Sequence, residues 1–207
     1  MVKDVKSLLE ELFVSIRAIN PILADAFQPG LEHENVNQLT ESINVQLPTA
    51  ARNLFLSVNG INEQSKIETL GESMILPLGT FVSLQLCIDY YKEYSIDDSV
   101  WRRALFPLLL AGGGDFYLID TEVTSPTFEM IFLYSTIVDT DEFVITIYDS
   151  LENLLKTVTE CFNSGHYFYK YFEDFPHVRL VFDCQPRESG TISRQLNPRS
   201  KYWKIIN

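Results

Sequence analysis

The sequence predicts an α+β fold: N-terminal helices, a central and mainly antiparallel sheet of about four to six strands, and a C-terminal helix packed on that sheet. Three observations carry this expectation. Apolar residues recur at helical spacing through the first sixty positions; four short apolar and aromatic runs then follow, parted by turn formers; and a helical stripe returns at Leu151, Leu154, Leu155, Val158 and Phe162.

Taken in order, Val5, Leu8, Leu9, Leu12, Phe13 and Ile16 line one face of a first helix, which Pro21 is expected to close. A second, short helix carries Val36, Leu39 and Ile43, and Asn44 stands where a helix end favours a left-handed residue. Pro48 is placed for the first turn of a third helix, with Ala51, Leu54, Phe55 and Val58 on one face and Asn59-Gly60 as its stop. Three helices are thus expected before any strand. A brief extended piece at 76–78 leads into a helix through Leu84, Cys87, Ile88 and Tyr91, which runs out near Asp97-Asp98. Strands near 105–111, 116–120, 128–134 and 143–148 are separated by GGGD, TEVTSPT and TIVDTDE, and such short connections make neighbouring strands antiparallel. Asp149 with Glu152 resembles a capping box for the last helix, and 163–165 ends it. Beyond Gly165, HYFYKYFEDF is dense in aromatics and the remainder is polar, proline-punctuated and basic, which reads as an irregular arm wrapping the domain.

The three glycines at 112–114 raise the question of a phosphate-binding loop. Such a loop needs a helix after its glycines, because the unpaired N–H groups and dipole of that helix hold the anion. Here FYLI follows, of strand character, and Asp115 puts negative charge where phosphate would sit. Gly112, Gly113 and Gly114 are therefore read as the φ > 0 positions of a tight hairpin, with Gly113 or Gly114 or both in that region.

Composition narrows the classes. The longest uncharged stretch is too short for a membrane span, and the start, MVKDVKSLLEELF, mixes acids into its apolar positions as no signal peptide does, so a soluble cytoplasmic protein is expected. Cys87, Cys161 and Cys184 are odd in number and widely spaced, which favours buried thiols over disulfides or a zinc cage. The net charge of -12 is uneven: residues 104–155 hold nine acids and no base, whereas 156–207 hold eight bases and five acids. An unbroken acidic stretch repels nucleic acid and anionic membranes and attracts basic partners; a solvated face kept for solubility is the other reading.

Catalytic chemistry finds little purchase. No HExxH, GxSxG, GxGxxG or P-loop occurs, and His33, His166 and His177 are the only histidines. Asp139, Asp141 and Glu142 lack the glycine-centred loop of a calcium site, and Cys161 with His166 straddles a helix end. No catalytic residue, metal or cofactor is assigned. Trp101 beside Arg102-Arg103 reads as a partner-facing cation–π site or as a half-buried anchor, and the aromatics of 167–175 as a ligand grip or as packing on the sheet.

ESINVQLPTAARNLFLSVNG at 41–60, the apolar strand and glycine turn with Asp115, Tyr117 and Asp120, and DSLENLLKTV at 149–158 together resemble the SUKH superfamily of Smi/Knr-type domains. Asn44 replaces the glycine usual there. The resemblance implies a segmentation into an N-terminal helical segment (1–33), an α+β core (34–165) and an aromatic and basic extension packed on it (166–207). It also implies a binding protein and not an enzyme. Bacterial members are commonly immunity proteins that neutralise a polymorphic toxin by contact, and fungal members act as regulatory scaffolds. A cognate toxin domain, basic in character, is the expected partner, with neither nucleic acid nor membrane. Turn carboxylates reach solvent where strand residues do not, so Asp115, Asp120, Glu122, Asp139, Asp141 and Glu142 are the expected partner-binding residues.

Overall fold

The computed structural model describes residues 4–62, 64–77, 79–95, 102–110, 114–135, 144–174 and 177–205. Helix α1 (Val5–Ile19) starts at Asp4, whose carboxylate accepts from Ser7 N at 2.8 Å. Pro21 does not end this helical region but opens a second helix, α2 (Pro21–Ala26), because the first position of a helix needs no N–H. Asn20 serves both ends: its N–H donates to Ile16 O at 2.7 Å, and its Oδ1 accepts from Leu23 N at 3.1 Å.

The expectation of three helices before any strand is corrected. Strand β1 (Phe27–Pro29) pairs antiparallel with β2 (Val58–Ile61), enclosing α3 (His33–Glu41) and α4 (Thr49–Ser57). Pieces this short, containing Pro29 and Gly60, give no alternating pattern to read. Asn44 is left-handed as expected (φ 54°). Around it, Val45 N donates to Thr40 O at 3.3 Å and Asn44 N to Glu41 O at 3.2 Å, so the carbonyls at the end of α3 are satisfied by the following turn. Pro48 lies one residue ahead of α4 and not within it.

After α5 (Leu70–Ser73) the main sheet begins. It runs in the order β3 (Thr80–Phe81), β4 (Leu105–Leu110), β5 (Phe116–Asp120), β6 (Ile131–Tyr134), β7 (Val144–Tyr148), with α6 (Leu84–Tyr94) between the first two. Every neighbouring pair is antiparallel. The 105–120 stretch is thus a hairpin, with Leu110 opposite Phe116 and Gly114 at φ 91°. Gly112 and Gly113 lie outside the described residues. A bulge between Pro107 and Leu109 lets Phe106, Leu108 and Leu109 all enter the main core, while Leu105 and Leu110 join a smaller cluster with Phe116, Leu118 and Phe132.

Helix α7 (Leu151–Asn163) buries the expected stripe and lies against α1, whose Ser15 Oγ donates to Asn163 Oδ1 at 2.8 Å. Its N-cap is Ser150, which accepts from Asn153 N at 3.2 Å. The Asp149–Glu152 box is therefore misplaced by one residue, and Asp149 turns instead toward the C-terminal segment. Gly165 ends the helix at φ 71°.

The irregular arm is also corrected. Strands β8 (Tyr167–Asp174) and β9 (His177–Cys184) form a hairpin of eight residues a side, followed by α8 (Pro186–Leu196) and α9 (Tyr202–Ile205). Tyr167 and Tyr169 enter the core beside Phe162 and Phe182, whereas Tyr171 and Phe172 stand out at 78% and 52% exposure. Arg179 ties β9 to the region of α5, within 3.3 Å of Glu68 and 3.4 Å of Glu72. Asn197 clamps the C-terminal segment to α7: its side chain donates to Thr157 Oγ1 at 3.0 Å and Ser193 O at 2.9 Å, and accepts from Asp149 N at 3.0 Å. One hydrophobic core runs from Val5 to Tyr169.

Candidate protein-binding surface

The segment 121–130, which joins β5 to β6, is organised by the residue that precedes it. Asp120 is fully buried at the end of β5. Its Oδ2 accepts from Ser125 Oγ and Thr127 Oγ1, both at 2.7 Å, and its Oδ1 from Glu122 N at 3.0 Å. Backbone bonds complete the turn: Glu129 N donates to Asp120 O, Asp120 N to Met130 O, and Thr121 N to Ala104 O. Burial by itself would raise the Asp120 pKa, but the Thr127 and Ser125 hydroxyls, the Glu122 N–H and the Arg102 guanidinium outweigh it and hold the carboxyl below its ordinary value. Arg102 Nη2 lies 3.2 Å from Oδ2, and its guanidinium sits 5.9 Å above the Phe132 ring.

At the tip of this loop Glu122 is exposed, and Val123 beside it is 71% exposed. Glu129, at φ 65°, is half-buried; burial first, and then the charge of Glu152, raise its pKa. The C-terminal segment braces the far side of the loop: Arg199 Nη2 donates to Pro126 O at 3.3 Å, and Arg199 N to Asp149 Oδ2 at 3.1 Å. A cleft of about 710 Å³ opens beside the loop base, lined among others by Asn44, Gln46, Lys92, Arg103 and Thr121.

The residues expected at the interface therefore separate. Asp115 and Asp120 do not reach solvent: both are fully buried, Asp115 accepting from Ser135 Oγ at 2.7 Å. A carboxylate at a strand end adjoining a hydroxyl-rich turn satisfies that turn from within. Glu122 alone of the described residues in the set is exposed, and Asp139, Asp141 and Glu142 lie outside the described residues, as does Trp101. The 52 residues without a base are also not unbroken acid in space, since Arg102 and Arg199 from outside that stretch meet it.

Elsewhere, Cys87 and Cys161 are buried, and burial pushes the Cys161 thiol up to about 12. His166 Nδ1 is hydrogen-bonded to Gln185 Oε1 at 2.9 Å. Among the described residues no group of three His, Cys, Asp or Glu side chains is placed to hold a metal ion, and no helix is long and apolar enough to cross a membrane.

These features define an α+β domain with an antiparallel five-stranded sheet, helices from both ends of the chain packed together on it, and a hydrogen-bonded acidic loop at one end. The chain belongs to the SMI1 / KNR4 family (SUKH-1), whose family model matches residues 30–157, more than half of its length. The match begins just ahead of α3 and ends within α7; the N-terminal helices and the elements from β8 onward fall outside it. Comparison with curated proteins finds no match.

Proposed function

We propose that this chain is an immunity protein, a non-catalytic binder that neutralises a cognate toxin domain by direct contact, with the acidic end of the sheet as its docking surface. Membership of the SUKH-1 family across residues 30–157 is the observation that carries this reading. The surface is narrower than the sequence implied. Glu122 and Val123 form its described tip, with Glu129 and Glu152 behind them; Asp139, Asp141 and Glu142 belong to it as an expectation of the sequence. Asp120 serves as the internal brace of this surface, and Asp115 as a buried strand-end contact.

Physical considerations support the assignment. Exposed carboxylates speed the encounter with a basic partner, and a loop already held by hydrogen bonds loses little conformational freedom when it docks. Toxin domains that act on nucleic acid carry basic clefts, so an acidic tip competes there with phosphate.

The test is co-expression of the toxin domain encoded beside this chain's gene with wild type and with two folded variants, Glu122→Lys and the triple Asp139→Lys, Asp141→Lys, Glu142→Lys. Wild type restores growth and the variants protect less. A gene standing alone in a eukaryotic genome, with no toxin beside it, would favour the regulatory-scaffold reading instead.

A further inference from the structure

We propose that α8 and α9 carry a second docking surface, opposite in sign to the first, which receives an acidic segment of a protein partner. Between 185 and 205 the chain holds five bases, Arg187, Arg194, Arg199, Lys201 and Lys204, against the single acid Glu188. All five are exposed. On α8, Arg187, Thr191 and Arg194 fall at offsets of four and seven and so share one face, away from the side that buries Ser189 and Ser193.

Packing joins α9 to this ridge. Trp203 and Arg194 both lie over Gly190, where a Cβ would make only ordinary van der Waals contact, 3.7 Å from Trp203 Cζ3 and 3.8 Å from Arg194 Nη2. Lys204 follows Trp203 directly and is exposed. Arg199 is already engaged with the acidic loop through Pro126 O. Arg187, Arg194 and Lys204, by contrast, form no ion pair among the described residues, although the protein carries a net charge of -12. Three cations with no ion-pair partner among the described residues make a positive patch on a negative molecule.

Charge and extent together select the occupant. A nucleic acid or an anionic bilayer is an extended polyanion, and docking it on α8 would draw the rest of this acidic protein within the screening distance of about 8 Å. A helix of 11 residues spans roughly 16 Å, which suits a short run of carboxylates on another protein and little more. The surface lies outside the family match, and the inference does not depend on the toxin-facing role of Glu122.

The probe is a fluorescein-labelled peptide of about a dozen residues alternating glutamate and serine, titrated with the full chain and read by anisotropy at low and at physiological salt. Wild type binds at low salt and weakens as salt rises. The variant Arg187→Glu, Arg194→Glu, Lys204→Glu loses at least tenfold in affinity, its glutamine counterpart loses less, and Glu122→Lys binds no more weakly than wild type. Circular dichroism establishes that each variant is folded. Equal binding by wild type and the triple reversal overturns the proposal. So does tighter binding of a short DNA duplex or of phosphatidylserine vesicles than of the peptide, or a wild-type dimer that the reversal abolishes, which would make a second copy the occupant.

Discussion

Replacing Asp120 tests whether a buried carboxylate builds the acidic loop. Its oxygens accept two hydroxyl bonds and one backbone N–H bond, all within 3.0 Å, and no solvent reaches the side chain. Hydrogen bonds to a charged group contribute about 1.5 to 3 kcal/mol each but are not additive. The Arg102 partner is half exposed, at 51%, so the ion pair adds little beyond them. Asp120→Ala, which orphans three donors, should cost about 3 to 5 kcal/mol, and Asp120→Asn, which keeps the shape and one acceptor, about 2 kcal/mol. Urea melts give both values through the midpoint, with the slope unchanged. Amide exchange should speed first in 121–130. The pH dependence has a fixed sign. The folded pKa is depressed, so this stabilisation is present above the ordinary aspartate value of about 3.9 and is lost as pH falls through the folded value. Asp120→Asn should flatten that part of the acid limb. If Asp120→Asn stays within about 0.5 kcal/mol of wild type and leaves exchange in the loop unchanged, the brace is not what holds the loop.

Other substitutions probe the frame around the loop. Gly114→Ala should cost about 1 to 3 kcal/mol in thermal melts, from backbone strain at φ 91° alone, since a Cβ there meets nothing within 4 Å; Gly60→Ala should cost more, because its Cβ would sit 2.6 Å from Ser83 N as well as at φ 78°. A smaller penalty at Gly60 than at Gly114 would contradict this ordering. Glu129 is both left-handed and held above its ordinary pKa by burial and Glu152, so it destabilises the fold increasingly as pH rises through the glutamate range; Glu129→Gly should raise stability at neutral pH by about 1 kcal/mol and gain less at acid pH, as chemical melts across pH would record. Asn197→Ala removes three hydrogen bonds from a side chain that is 1% exposed and should cost about 2 to 4 kcal/mol, with exchange rising first in α8 and α9; uniform loosening of the whole domain would mean that Asn197 does not clamp that segment.

Periodic segments were the legible part of the fold. The α7 stripe carries a clear helical period, the runs that became β4 to β7 are short apolar segments bounded by turn formers, and the placement of Asn44 followed from the left-handed geometry that helix ends favour. The β8–β9 hairpin was hidden because its aromatics occupy both faces: Tyr167 and Tyr169 point inward while Phe172, of the opposite parity, remains half exposed, so no alternation of apolar and polar residues appears. The capping error at α7 arose because Asp149 and Ser150 are both good cap residues, and the tertiary bond of Asp149 to Arg199 N decided between them. In the candidate site the linear charge pattern gave no sign that Asp115 and Asp120 are buried. Asp120 is followed by Thr121, Ser125 and Thr127, and that series of hydroxyls was the available sign of an internally bonded carboxylate. Arg199 approaches the acidic stretch only through the fold, and Arg102, two residues ahead of that stretch, reaches Asp120 across the β4–β5 pair, which no count along the chain can show.

The most direct test of the central proposal is the association rate between this chain and a purified candidate toxin domain from a gene neighbouring its own, measured by stopped flow over a series of salt concentrations. Wild type should associate faster than about 10⁶ M⁻¹s⁻¹ at low salt and slow steeply as salt is added. Glu122→Lys should lower the rate and flatten its salt dependence, and the Asp139→Lys, Asp141→Lys, Glu142→Lys variant should do so further. Rates and salt slopes that are the same for wild type and both variants would contradict a docking surface at the acidic end of the sheet, and failure of wild type to bind the toxin domain at all would contradict the proposed immunity function.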